Sequence, residues 1–308
     1  MSRVPITGRL FWRLVPVRVR YLTDPACSWS WAFEPVVRRL QVEFGDELEW
    51  TLVMGGLARD YTASGGSDAA EEASSDGWAP YPWLMAHWLE VAAEGGMPCD
   101  PLLWRDAPLR STYPACLAVR AAAEQAGDGG MAYLRAVREG LMCFRRRLDT
   151  TEALVEEARG AGLDRKRFRI DLGSHAIVEA FGSDLEEVRD VPDEARELGK
   201  VKGSGARERV PFPTLVFAGD GGTRRAIYGY RPYDEVRAAA SAAGARPCDG
   251  AAPEPLVALR RLGRMATAEV AGVCELPGPR AAAELWRLAS EWRVTRVPVL
   301  CGELWEAA

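Results

Sequence analysis

Asp24-Pro25-Ala26-Cys27-Ser28-Trp29-Ser30-Trp31-Ala32-Phe33-Glu34-Pro35 is the stretch whose reading decides the fold. Just upstream, Val15 to Leu22 (V-P-V-R-V-R-Y-L) alternates apolar with polar residues and is rich in β-branched types, which predicts a strand. Thr23 to Ala26 reads as a turn around Pro25. Downstream, Phe33, Val37, Leu40 and Phe44 fall at helical spacing, so a helix is expected from about Ser28 to Phe44, closed by Gly45. Leu48 to Met54 predicts a second strand. Strand, helix, strand implies a parallel crossover. Cys27 thus stands where a strand hands over to a helix. Free N–H groups and the dipole at a helix start favour a thiolate over a thiol, and the thiolate is the form that attacks disulfides.

Further out, Tyr61 to Gly77 is small, polar and acidic, and reads as a mobile loop. From about 78 to 200 the pattern is helical, with Tyr113 to Ala126, Gly130 to Arg147, Thr151 to Gly160 and an interrupted Ile177 to Gly199 as its clearest members. Asp149-Thr150-Thr151 and Ser183-Asp184 supply start signals. Strands return at Thr214 to Phe217 and Arg224 to Tyr230, joined by a Gly219-Asp220-Gly221-Gly222 turn that predicts a hairpin. A helix is expected from Pro232 to about Ala243.

The opening stretch resembles the active site of DsbA-like members of the thioredoxin superfamily, especially the cytosolic FrnE-type branch, whose pattern is D-P-x-C-S-W-C-W-x-F-E-P. It matches at Asp24, Pro25, Cys27, Ser28, Trp29, Trp31, Phe33, Glu34 and Pro35, and departs where Ser30 replaces the second redox cysteine. Two more stretches resemble the same branch in order: Gly96-Met97-Pro98 to Trp104 with Ser111 to Ala115, and Val210-Pro211-Phe212-Pro213-Thr214. The resemblance implies an α/β thioredoxin-like fold with a large helical insertion. It places a thioredoxin-like domain at 15–60 and 205–245, after an N-terminal tail at 1–14, and the insertion at 78–200. It also implies that Pro213 is a cis-proline packed against Cys27, preceded by Phe212 and followed by Thr214.

Ser30 changes what the site can do. In a dithiol enzyme Cys27 attacks a substrate disulfide and the second thiol releases the product. A serine cannot release it, although its hydroxyl can hydrogen-bond a Cys27 thiolate. Three readings stay open. Cys27 works as a monothiol oxidoreductase or isomerase, with an external thiol such as glutathione resolving the mixed disulfide and no bound cofactor. Alternatively the fold is a redox-inactive adaptor or protein-binding module, with Cys27 a buried, inert thiol. The third is a glutathione-binding isomerase or transferase. Kappa-class glutathione transferases and chromene-carboxylate isomerases share the fold, but favour serine at the first motif position, where this chain keeps Cys27. Catalytic candidates are Cys27 and Ser30. Substrate-binding candidates are Trp29, Trp31, Phe212, Pro213 and Thr214, with Trp31 in the core as the plainer option. Asp24 serves as a turn cap or in proton transfer. Cys99, Cys116 and Cys143 are core or surface thiols unless one resolves Cys27 from a distance.

Residues 250–308 lie beyond the resemblance. Pro255 to Leu262, Ala266 to Cys274 and Arg280 to Trp292 read as helices, and Arg293 to Trp305 as a two-stranded wing. The layout is that of a small α+β winged-helix-like module. Its third helix offers only Arg280 and Arg287, set against Glu284 and Glu291, so nucleic acid is not expected and docking or homodimerisation is preferred.

Composition agrees. The 308 residues are 48% hydrophobic with 11 Trp, enough for real cores, and the net charge of −5 is not that of a nucleic-acid binder. No apolar run approaches the ~20 residues of a membrane span, and Met1 to Val19 lacks the apolar core of a signal peptide. The seven cysteines are odd in number and widely spaced, unlike a secreted disulfide framework, so a cytoplasmic protein acting on protein or small thiol and disulfide partners is expected. With His87 and His175 the only histidines, a zinc site is not expected; both read as surface or capped helix positions.

Overall fold

The computed structural model describes residues 15–63, 67–75 and 77–308. The expected tail at 1–14 lies outside the described residues. Strand β1 (Val17–Thr23) leads through Cys27 into helices α1 (Ser28–Ala32) and α2 (Glu34–Phe44), and then into β2 (Leu48–Met54). β1 and β2 run parallel, with Val17 opposite Leu48 and Thr23 opposite Met54. The single helix expected over Ser28–Phe44 is broken at Phe33. Pro35 has no N–H to give the preceding turn, so α1 stops after five residues and α2 restarts with proline in its first turn.

A helical region follows: α3 (Asp68–Ser75), α4 (Pro80–Gly95), α5 (Leu103–Asp106), α6 (Tyr113–Ala123), α7 (Met131–Phe144), α8 (Thr151–Gly160), α9 (Arg165–Leu172), α10 (His175–Arg189) and α11 (Asp193–Glu197). Helix α3 falls inside the stretch expected to be a mobile loop. Ser67 Oγ accepts the Ala70 N–H at 3.1 Å and starts it, and Ala73 is its buried anchor. Its polar composition is that of a mostly solvent-facing helix. The chain then returns as β3 (Thr214–Ala218), β4 (Arg224–Tyr228) and α12 (Tyr233–Ala242). The sheet order is β2-β1-β3-β4, with β3 antiparallel to both β1 and β4.

Period-2 alternation sorts the sheet's side chains. Val17, Val19, Tyr21, Leu48, Leu52, Leu215 and Phe217 pack with Val37, Leu40 and Phe44 of α2. Each large apolar side chain buried there stabilises the fold by about 1.5–3 kcal/mol. Leu22, Val53 and Val216 belong to a second cluster with Val188, Val191 and Ala195 of α10 and its continuation. Helix α10 is also held by polar contacts: Asp184 accepts the Met54 N–H at 3.0 Å, and Arg20 Nε donates to Glu187 at 2.6 Å.

The C-terminal module comprises α13 (Pro255–Leu262), β5 (Met265–Ala266), α14 (Thr267–Val273), α15 (Gly278–Ser290), β6 (Val294–Val299) and β7 (Gly302–Ala307). Its sheet order is β5-β7-β6, all antiparallel. The two-residue β5 carries too little pattern to be read from sequence. Leu256, Leu259, Val270, Leu285 and Trp305 form the module's own core. Ala266 and Leu304 join the main core instead, so the module is fused to the rest of the molecule. Arg280 and Arg287 are paired with Glu284 and Glu291 along α15, and among the described residues no helix is long and apolar enough to cross a membrane.

Candidate functional site

Cys27 is the residue before α1, in extended conformation (φ −75°, ψ 111°). Asp24 builds the turn that puts it there. One carboxylate oxygen accepts the Ala26 N–H at 2.8 Å, and the other accepts Leu57 N–H at 2.7 Å, the Thr112 hydroxyl at 2.9 Å and the Cys116 thiol at 3.3 Å. The capping reading of Asp24 fits these contacts. Cys116 is engaged with Asp24 rather than turned to Cys27.

The Cys27 thiol is only 5% exposed and donates to the Phe212 carbonyl at 3.9 Å. The Phe212–Pro213 peptide is cis. Gly55 lies against Phe212: a Cβ there would sit 2.0 Å from the Phe212 ring, so a larger residue would displace that ring. Burial pushes the Cys27 thiol above its ordinary pKa, and hydrogen bonds from the Ser30 hydroxyl and backbone N–H only partly oppose it. The expected preference for thiolate is therefore reversed. The five-residue α1 leaves little aligned dipole at Cys27, while desolvation is nearly complete.

Ser30 is fully buried. Its oxygen accepts the Thr23 hydroxyl at 2.8 Å, and Thr23 in turn accepts from Arg138 of α7. Arg138 also pairs with Glu34. From there charges continue inward: Arg135 bonds Glu34 at 3.2 Å and Glu269 of α14 at 2.7 and 2.9 Å. Of the charged members of this network only Glu34 falls within the motif. Its partners lie more than a hundred positions away, with no local signal to mark them.

Cys27 borders a cleft of about 110 Å³ whose walls include Trp29, Leu57, His87, Arg209 and Phe212. Arg209 lies over the Phe212 ring at 4.3 Å and bonds Asp68 of α3 at 2.6 Å. His87 is stacked on Trp83 at 4.8 Å, and burial lowers its pKa. It lines the cleft rather than sitting free on the surface as expected. Cys27, Trp29 and Phe212 thus meet at the cleft, and the other candidates do not. Trp31 is 2% exposed, with its indole N–H donating to the Pro98 carbonyl at 2.8 Å, so it is a core residue. Thr214 is buried as the first residue of β3 and gives its hydroxyl to the Pro211 carbonyl at 2.7 Å, which removes it from any substrate surface. Pro213 is buried. Arg209 and Asp68 escaped the sequence reading because α3 was not recognised as a helix.

Comparison with known proteins places this geometry. Residues 21–192 match the model of the family Thioredoxin_5, described as thioredoxin. The ClpXP adapter protein SpxH of Halalkalibacterium halodurans is 28% identical over 94% of this chain and 88% of its own length. A candidate protein disulfide isomerase from Nitrosomonas europaea superposes with a TM-score of 0.56 at 19% identity, covering 74% of this chain and 97% of that one. A probable DsbA oxidoreductase from Streptomyces coelicolor gives 0.51 at 22% identity, over 75% and 91%. With its parallel β1–β2 crossover, returning hairpin and helical region between them, the chain shares the fold of these two structures and belongs to the Thioredoxin_5 family.

Proposed function

We propose that the protein is a thioredoxin-fold adaptor that binds other proteins and delivers them to a ClpXP-type protease, with no disulfide turnover at Cys27. The observation that carries this is the state of the motif. Cys27 is only 5% exposed, its thiol is pushed up in pKa, and Ser30 stands where the resolving sulfur of a dithiol enzyme belongs. A site that keeps the fold but neither an ionised nucleophile nor a resolving thiol fits recognition better than exchange. The relative named a ClpXP adapter matches 94% of the chain, which takes in most of the C-terminal module. That module also offers exposed aromatic surface: Trp292 is 88% exposed and Trp286 54%.

A monothiol reading retains one supporting observation, the placement of Cys27 against a cleft with the Ser30 hydroxyl directed at it. One experiment separates the two. Purified ClpXP is incubated with a host protein extract, with and without the full chain, and half-lives are followed by quantitative mass spectrometry. The adaptor reading expects at least one protein to be degraded several-fold faster, and Cys27→Ala to act as wild type. It fails if no half-life changes. It also fails if Cys27→Ala loses the effect while the wild-type chain catalyses glutathione-dependent reduction of a model disulfide.

A further inference from the structure

Cys99 and Cys301 face each other across a backbone bridge between distant parts of the chain. Cys99 lies in the loop between α4 and α5, and Cys301 in the turn joining β6 to β7. Each donates its N–H to the other's carbonyl at 3.0 Å, and the two residues form an antiparallel bridge. Such a doubly bonded pair holds its Cα atoms about 5.5 Å apart and sends both side chains to the same face. A disulfide needs Cα atoms ~4.4–6.8 Å apart, most often ~5.5–6 Å. The Cys99 thiol donates to the Cys301 sulfur, and both cysteines are reduced. Cys99 is 1% exposed, whereas Cys301 is exposed beside a groove of about 440 Å³ that also takes in Leu89, Pro98 and Thr267. An outside reagent therefore meets Cys301 first, with Cys99 waiting behind it.

We propose that Cys99 and Cys301 form a reversible disulfide, a redox modification that fastens the β6–β7 turn of the C-terminal module to the loop ahead of α5. The oxidant is a low-molecular-weight disulfide. Cys301 gives its proton to solvent and attacks one sulfur of the reagent, forming a mixed disulfide and expelling one thiolate, which takes up a proton. Cys99 gives up its proton and attacks the Cys301 sulfur; the bond to the reagent breaks and the second reagent thiolate leaves and is protonated. Two protein thiols are oxidised to one disulfide and one reagent disulfide is reduced to two thiols. Excess thiol runs the steps backwards. Burial pushes the Cys99 thiol up to about 12, with a contribution from Cys301. The second step is therefore the slow one, driven by proximity rather than by a ready thiolate. Cys143, the other thiol nearby, is buried and donates to the Pro98 carbonyl at 3.5 Å.

The full chain is incubated with oxidised glutathione at pH 8, its remaining thiols are blocked by alkylation, and it is digested for peptide mapping. The expected product is a linked peptide pair containing Cys99 and Cys301, from protein that stays monomeric on a non-reducing gel and returns to free thiols in dithiothreitol. Cys301→Ser, a change at an exposed position, loses the link and leaves Cys99 reduced. The proposal is overturned if Cys301 carries a lasting glutathione while Cys99 remains alkylatable on unfolding. Cys301 linked to a second copy of the chain overturns it equally.

Discussion

At Cys27 two opposing effects decide the chemistry. Burial disfavours the thiolate, and hydrogen-bond donors favour it. The donors have a definite order. A guanidinium can only donate, so Arg138 gives to Thr23, Thr23 gives to Ser30, and the Ser30 hydrogen is left for the Cys27 sulfur. Burial wins, because the net shift is upward. Alkylation of Cys27 in the folded protein by iodoacetamide should accordingly be slow at pH 7 and rise only above the ordinary thiol range near ~8.5. Ser30→Ala removes the hydroxyl donor and leaves only the backbone N–H of residue 30. A hydrogen bond to a charged group is worth ~1.5–3 kcal/mol, so alkylation at fixed pH should slow by about tenfold or more. Peptide-resolved alkylation rates across pH 6–10 check both. A wild-type midpoint below the ordinary thiol range, or a variant that reacts faster, would show that the donors outweigh burial.

Between elements, the packing of α10 on the edge strand β2 is supplemented by one buried carboxyl. Asp184 is 5% exposed, accepts the Met54 N–H, and lies 3.5 Å from Arg120. Burial raises its pKa to about 6, against the opposing pull of Met54 N–H and Arg120. The native state therefore holds this proton up to about pH 6, while the unfolded chain releases it near its ordinary ~3.9. The stability this residue contributes is fully present below pH ~4 and is lost as pH rises through 6. Asp184→Asn keeps an acceptor for Met54 and never ionises. The variant should match wild type in urea denaturation at pH 4 and exceed it by up to about 3 kcal/mol at pH 7. Wild type gaining on the variant over that range would mean that Arg120 holds the carboxylate charged. Elements of this kind differed in how openly the sequence declared them. β2 and α8 read to the residue, because alternation and capping are local signals. The break at Phe33 was latent in Pro35 but masked by apolar residues spaced as for one helix. Helix α3 was hidden by its solvated composition, and with it the Asp68–Arg209 wall of the cleft. Cys27, Trp29 and Phe212 were legible from motif order, whereas Arg138 and Thr23 become site residues only through contacts made by the whole fold.

Across the whole molecule the same charges that end at Ser30 begin in the C-terminal module. Glu269 has no exposed side-chain surface and lies between Arg38 of α2, at 2.9 Å, and Arg135 of α7, which it binds through both oxygens. It also accepts the Ala266 N–H at 2.6 Å, which closes the start of α14. Arg264 of the module reaches Glu139 at 3.0 Å, and Arg38 donates to the Leu262 carbonyl at 3.0 Å. One buried carboxylate thus serves three elements that are far apart in sequence. Such a network adds little over a well-packed apolar core while intact, but breaking it leaves uncompensated buried charge at a cost of ~3–5 kcal/mol. Glu269→Gln keeps the shape and one acceptor oxygen while leaving Arg38, Arg135 and Arg138 to share Glu34 and Glu139. The variant should lose about 3 kcal/mol or more of stability. The loss should fall on the docking of the module, because its remaining core of Leu256, Val270, Leu285 and Trp305 is untouched. Wild type, whose module shares the main core, is expected to melt in one transition, and scanning calorimetry of the variant should show two, the module melting first. One transition at the wild-type temperature would mean that Ala266, Leu304 and the packing of α14 on α2 hold the module without the charges.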